Sequence, residues 1–378
     1  MYALKYRPAI VFVAVCMLVG VVGNSLVCYV YLRKFKPSTT RCFIVTLAIL
    51  DILNCSLSIP LKIVQMRYHA TFGLSNFCRV STMTVTLFSL ASAGVLLPVA
   101  VDRYLKICKP FVRQMTIFHA KAGCGAACAA ALVLTIPPAI IHGPTIHSLP
   151  QANATFCYLA DGEGGTRPHL IYSCVQICLF VVTAGALVVM YTCIWHKLYK
   201  QKKAFRQRII AGILNTPKHN NTTRSTDGTV STSSNFICTT MNATSPVSQA
   251  DNNSHDPERD SSTFNSEREQ RVFTSSPSSG VPVRYTNATM SSHQENAVKK
   301  MTLMLFLISL VFFLSFLPYL IITVFVSINM SFAERLTVIP SEGVIIFERS
   351  YFIQSACNPF IYSFCSVNFR RAMKNVCR

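Results

Sequence analysis

The chain has 378 residues, 51% of them hydrophobic and 13% charged, with a formal net charge of +20. A soluble domain carries about 25% charged residues, so this composition excludes an ordinary soluble enzyme and equally a wholly disordered chain. The basic excess suits nucleic acid, a membrane surface or the inner face of an integral membrane protein, and its distribution decides among them.

A helix needs roughly 20 apolar residues to cross a bilayer core of about 30 Å. Seven runs qualify: Ala9–Leu32, Phe43–Val64, Val80–Ile107, Ala122–Ile141, Leu170–Trp195, Met301–Ile328 and Gly343–Val367. The last is the least apolar. The first follows Lys5 and Arg7, as a signal-peptide core would, but it is too long for one and is read as a span. Loops after the first, third and fifth runs hold Arg33, Lys34, Lys36 and Arg41, then Lys109, Arg113 and Lys121, then Lys197 to Arg208. The intervening loops hold few basic residues. The positive-inside rule therefore puts the N-terminus outside and the C-terminus inside. Nearly all of the charge excess then lies on the inner side, and nucleic acid is not needed to explain it.

Between the fifth and sixth runs lies Asn215–Glu295, rich in Ser, Thr and Asn and without hydrophobic periodicity. Such a segment is predicted to be disordered. The expected fold is an all-α membrane protein: spans one to five in 1–214, a cytoplasmic loop in 215–295, spans six and seven in 296–367, and a short amphipathic helix and tail in 368–378. Most of the sixteen cysteines lie inside apolar runs and act as small hydrophobes. No CxxC pair occurs. Cys78 and Cys157 both fall on the outer, oxidising side, so a disulfide between them is expected. Asn153 and Asn329 are outer-loop glycosylation candidates.

Ionisable residues inside a span cost about 2.5–3.5 kcal/mol on insertion scales and need a reason. Asp51 lies mid-span, level with Ser92, Ser355 and Asn358; this set either holds a cation with oxygen ligands or is a hydrated polar cluster. Asp102-Arg103-Tyr104 closes the third span, either as a two-state element or as a simple interfacial ion pair. Lys62 lies eleven residues outward of Asp51, on the same helical face. It and Glu348 either line an outer cavity or are satisfied by snorkelling and by Arg349. Prolines 60, 98, 137, 138, 318 and 359 interrupt helices and make bends. The small-residue row Gly123, Ala127 and Ala131 packs either within the bundle or against another chain.

In this order and spacing, the pieces resemble a rhodopsin-like (class A) G-protein-coupled receptor over nearly the whole chain outside 215–295. They are Gly23-Asn24, Leu47 to Asp51, Cys78 with Cys157, Asp102-Arg103-Tyr104, Tyr191, Phe312 to Phe316-Leu317-Pro318-Tyr319, Asn358-Pro359-Phe360-Ile361-Tyr362 and Phe369-Arg370. The resemblance implies a seven-helix bundle in the plasma membrane and no enzyme. It implies that Arg103 faces a heterotrimeric G protein once released from Asp102, and that Tyr191 and Tyr362 swing inward to support that state. Phe312, Phe316 and Asn358-Pro359 would belong to the same switch, with Pro318 as the hinge of the sixth helix. It also implies a sodium site at Asp51, Ser92, Ser355 and Asn358, no other cofactor, and palmitoylation of Cys377 beside basic residues that meet membrane lipids.

The chain departs from the family pattern at several places. Ala127 or Cys128 stands where the fourth helix has Trp, Thr183 near the usual proline of the fifth, and Phe316 where Trp is commonest. Val298 replaces the acid that would lock Arg103. An outer ligand cavity is expected around Lys62, Val85, Ser89, Tyr319 and Glu348. Val85 in place of Asp excludes a monoamine, and no Lys near Phe352 excludes retinal. The segment Asp102–Pro110 is similar to that of many peptide receptors, so a peptide or neuropeptide agonist is expected, ahead of a small lipid or metabolite. A channel or transporter is more remote, since no internal repeat is present. The long inner loop is the expected target of receptor kinases and arrestin.

Overall fold

A segment in lipid must satisfy its backbone polar groups internally, and the apolar runs do so as helices. The computed structural model describes residues 5–68, 75–149, 152–159, 168–214, 284–328 and 341–375. Among the described residues six helices are long and apolar enough to cross a membrane. They belong to α1 (Arg7–Lys34), α2 (Thr39–Arg67), α3 (Ser75–Cys108), α4 (Ile117–Leu134), α5 (Pro168–Leu214) and α6 (Arg284–Ile328). The seventh run forms α7 in two pieces, Glu342–Glu348 and Phe352–Cys365, with a turn at Arg349–Tyr351 between them. A short α8 follows at Val367–Lys374.

Local chemistry marks the helix ends. The side chains of Ser38, Thr116 and Ser366 accept from the backbone N–H of Arg41, His119 and Phe369 and start α2, α4 and α8. Arg41 donates to the carbonyls of Phe35 (2.8 Å) and Leu32 (3.1 Å) at the end of α1. Arg370 does the same for Ser363 and Phe364 at the end of α7. These caps lie at the end of the bundle that carries the basic loops, called here the basic end. On α8 Phe369 is buried while Arg370, Arg371 and Lys374 are exposed, an amphipathic arrangement.

Helix α1 packs on α2 and α7, α6 on α5 and α7, and α3 runs through the middle against α2, α4, α5 and α6. Each proline is accommodated differently. Before Pro60, α2 loosens into a π turn over Asn54–Ser58, which absorbs the missing N–H and the ring. Pro98 lies inside α3 opposite α4, where a Cβ on Gly123 would stand 3.1 Å from the Pro98 Cβ. A Cβ on Gly94 would come within 2.9 Å of the Ala127 Cβ. Gly123 and Ala127 therefore pack against α3, and the tight crossing leaves no room for a Trp at 127. Helix α4 stops at Leu134 and resumes as a helical turn at Ile136–Ile141 around Pro137 and Pro138.

Two features differ from the sequence expectation. An antiparallel hairpin, β1 (His142–Leu149) and β2 (Ala152–Leu159), follows α4, with His142 opposite Leu159 and Pro144 opposite Cys157. It marks the other, hairpin end, and the bundle itself stays helical. The polar insert is also shorter than read, because Arg284–Glu295 is helical backbone continuous with α6. Once a helix is nucleated, each added residue gains a bond, so the end of a polar segment can be drawn into it. Residues 215–283, Asn329 and Cys377 lie outside the described residues.

Candidate functional site

The middle of the bundle is built by proline. Pro359 lacks an N–H, which frees the carbonyl of Ser355 four residues earlier. Asn24 of α1 fills that vacancy, donating to the Ser355 carbonyl at 2.8 Å and to its own Gly20 carbonyl at 2.9 Å. Asp51, fully buried, accepts from Gln354 Nε2 (3.1 Å) and Ser355 Oγ (2.8 Å) on one oxygen. Its other oxygen accepts from Asn358 Nδ2 (2.6 Å). Asn54, in the π turn, donates to Ser355 Oγ at 3.2 Å. The amide oxygens of Asn24, Asn54 and Asn358 are buried without a donor. A carboxylate beside unsatisfied amide oxygens is a donor set suited to a hard cation with oxygen ligands.

Asp51, Ser355 and Asn358 are thus brought together. Ser92 is buried on α3 and makes no hydrogen bond to Asp51. Gln354, Asn54 and Asn24 were not read as site residues. For Gln354 and Asn54 the available signal was their polarity within apolar spans; for Asn24 it was the freed carbonyl that Pro359 implies.

At the basic end, the Asp102 carboxylate is buried and one of its oxygens carries three contacts. Arg103 reaches it with Nε (3.1 Å) and with a terminal nitrogen (2.5 Å), and Lys106 Nζ at 2.9 Å. The same Arg103 nitrogen donates to Thr40 Oγ1 at 2.5 Å, and Lys106 donates to Thr39 Oγ1 at 2.6 Å. The first two residues of α2 therefore latch the end of α3. Two cations share one carboxylate, and its second oxygen has no partner, so the latch keeps a net positive charge. Thr39 and Thr40 were missed by sequence reasoning because a Thr pair at a helix start reads as capping. Tyr104 is half-buried under Lys109, whose ammonium lies 5.9 Å from the ring centre.

Helices α5 and α6 meet through Tyr191, whose hydroxyl lies 3.3 Å from Ser309 Oγ and whose ring meets Phe306 edge-on. A separate aromatic column links α5, α6 and α7. Phe180 meets Phe313, Phe313 meets Phe312, Phe312 stacks on Phe316 at 4.6 Å, and Phe316 stacks on Tyr351 at 5.7 Å. Tyr351 also meets Tyr319. Three residues before Pro318, the Ser315 carbonyl accepts from Ser350 Oγ at 2.6 Å, tying α6 to α7. The buried Tyr362 ring packs edge-on against Tyr31, which stacks on Phe35 and Phe369. The hydroxyls of Tyr362 and Tyr31 are buried with no partner.

Towards the hairpin end, Lys62 and Gln65 are buried on α2, and Lys62 donates to Gln65 Oε1 at 2.9 Å. Ser81 donates to the same oxygen at 3.2 Å. Glu348 pairs with Arg349 at 2.9 Å and makes no ion pair with Lys62. Val85 and Tyr319 pack around Tyr351 and Ile59 in one apolar cluster, and Ser89 is buried on α3. Cys78 is disulfide-bonded; Cys157 and Asn153 lie on β2.

The model of the family described as 7 transmembrane receptor (rhodopsin family) matches residues 23–362. The chain belongs to this family. It is 30% identical over 51% of its length to the mouse type-1 angiotensin II receptor B, covering 54% of that protein. It is 27% identical to human neuromedin-U receptor 1, over 50% of the chain and 46% of that protein. It is 28% identical to the rat C5a anaphylatoxin chemotactic receptor 1, over 51% of the chain and 55% of that protein. The chain thus spans about half the length of the curated relatives it matches. As a rhodopsin-family member it is a multi-pass membrane receptor and not an enzyme.

Proposed function

We propose that the chain binds an extracellular peptide at the hairpin end of the bundle and activates a heterotrimeric G protein at the basic end. The observation that carries this reading is the Arg103 latch in a chain of this family. The guanidinium is buried, held by one carboxylate and one hydroxyl, and sits where the helices end. Among the described residues no carboxylate from α6 touches it, so loss of the Thr40 bond as α3 parts from the start of α2, together with a turn away from Asp102 on its own helix, frees it to meet a cytosolic partner. The same motion fits the aromatic column and the Tyr191–Ser309 contact, which connect α6 to its neighbours through stacking and one hydroxyl pair. Such contacts slide at lower cost than buried ion pairs break. The peptide assignment is supported by the relatives, which are named as receptors for angiotensin II, neuromedin-U and the C5a anaphylatoxin.

In this reading the receptor sits in the plasma membrane with the hairpin end outside and the basic end in the cytosol. Exposed Arg370, Arg371 and Lys374 meet anionic lipid there. The loop within 215–295 recruits kinases and arrestin, and Cys377 anchors the tail. Asp51, with Ser355 and Asn358, would hold a sodium ion; bound there, the ion supplies charge that stabilises the resting packing of α2 against α7. Asn54 and Asn24 hold the Ser355 side that the ion would approach. The decisive experiment is G-protein activation in cells expressing the full chain, with and without Arg103→Ala. Activation by a peptide library that disappears in the surface-expressed variant is the expected result. Signalling that survives the substitution refutes the mechanism.

A further inference from the structure

The hairpin-end half of α2 contains a charge that the reading above does not use. Lys62 has a relative exposure of 8%. An ammonium has three protons to donate, and the one hydrogen bond of Lys62 among the described residues goes to a neutral amide oxygen, Gln65 Oε1. That oxygen is already shared with Ser81. Among the described residues the carboxylate within electrostatic reach of Lys62 is Glu348, which is taken by Arg349 at 2.9 Å. Arg349 in turn has its Nε buried with no acceptor. Among the described residues two cations and one anion therefore stand together here, with unused donors on both cations. Burying an unpaired charge costs several kcal/mol unless an opposite charge arrives with it. Apolar and aromatic side chains stand in the same half of the bundle, including Ile63, Val85, Tyr319 and Tyr351.

We propose that the agonist site takes a ligand carboxylate, bound by Lys62 and completed by Arg349, with the apolar part of the ligand against Val85 and Tyr319. Gln65 and Ser81 position the ammonium. This rests on the peptide-receptor reading and narrows it to peptides that present a free acid, at the C-terminus or on an Asp or Glu side chain. A cationic ligand group at this place would meet two like charges.

The test uses purified full-length protein in lipid nanodiscs and reads binding by thermal stabilisation, with no G protein present. The probes are a panel of synthetic apolar pentapeptides, each as free acid and as C-terminal amide, a matching panel with an internal Glu or Gln, and dodecanoate with dodecanol. Free acids are expected to stabilise the protein, with the neutral counterparts at least ~30-fold weaker, the loss typical of removing one partner of a buried charge pair. The preference should vanish in Lys62→Met and in Lys62→Gln and persist in Lys62→Arg. Acids and amides binding alike, no acid binding at all, or a preference that survives both neutral variants overturns the proposal. Stabilisation by dodecanoate without any peptide acid overturns the peptide assignment. Acid-selective binding in nanodiscs, with no activation by the same acids in the cell assay above, supports the carboxylate site and counts against the signalling reading instead.

Discussion

Gly23→Ala probes the closest approach of α1 and α7. A Cβ at position 23 would lie 2.6 Å from Pro359 Cγ and 2.8 Å from Pro359 Cβ. Ordinary carbon contacts are about 3.5–4.0 Å, so the two helices must part by about 1 Å. The proline ring is rigid and buried and cannot turn aside. Its neighbour, the Asn24 bond to the Ser355 carbonyl at 2.8 Å, is stretched by the same displacement. Overpacking of this kind costs about 1–3 kcal/mol, against a helix-propensity gain of up to about 1 kcal/mol for replacing Gly by Ala. With the full propensity gain the net loss is up to about 2 kcal/mol, a fall in Tm of up to about 6 °C. Gly125→Ala is the control, because nothing lies within 4 Å of a Cβ there, and its Tm should hold or rise. Thermal unfolding of both variants in one detergent checks this. Equal Tm values for the two would refute the packing argument.

Thr40→Ala removes one of the acceptors that hold Arg103; a hydrogen bond to a charged group contributes about 1.5–3 kcal/mol, so ligand-independent G-protein activation should rise about tenfold or more at equal surface expression. Basal activity at the wild-type level would argue against the latch. Asn24→Ala leaves the Ser355 carbonyl buried without a donor and should cost about 1–3 kcal/mol, read as a lower Tm; a Tm equal to wild type would mean that water replaces the amide. Ser350→Ala unties the Ser315 carbonyl and should make α6 easier to displace, seen as faster amide exchange around Pro318. Replacing sodium by choline should lower the Tm of the wild-type protein and leave Asp51→Asn unchanged; an identical sodium effect in that variant would move the ion elsewhere. Deleting Thr216–Asn296 should abolish agonist-driven phosphorylation and arrestin recruitment while surface expression persists.

The spans were legible because lipid imposes a length and a polarity on any helix that crosses it, and residues such as Asp51 and Arg103 stand out against that background. The ends were less legible. Arg284–Glu295 is polar and carries no apolar period, yet it continues α6. The hairpin after α4 depends on pairing between two short segments, and neither announces a partner in its own composition. Lys62 and Glu348 show the limit of helical spacing: both lie on inward faces, but Glu348 is claimed by its neighbour Arg349 while Lys62 turns to Gln65. Ser92 was read at the depth of Asp51; it is buried on α3 but makes no hydrogen bond to that carboxylate.

The sequence by itself determined the seven apolar segments, the alternation of basic loops and the places where proline breaks a backbone ladder. These follow from local chemistry, which needs no knowledge of neighbours. The tertiary structure alone decided which distant groups meet. Asn24 reaches the carbonyl that Pro359 exposes, Ser350 reaches the Ser315 carbonyl of α6, and Thr40 completes the hold on Arg103 across 63 positions of chain. Such partnerships depend on crossing distances set by residues like Gly23 and Gly94, where the absence of a single Cβ lets two helices close to contact.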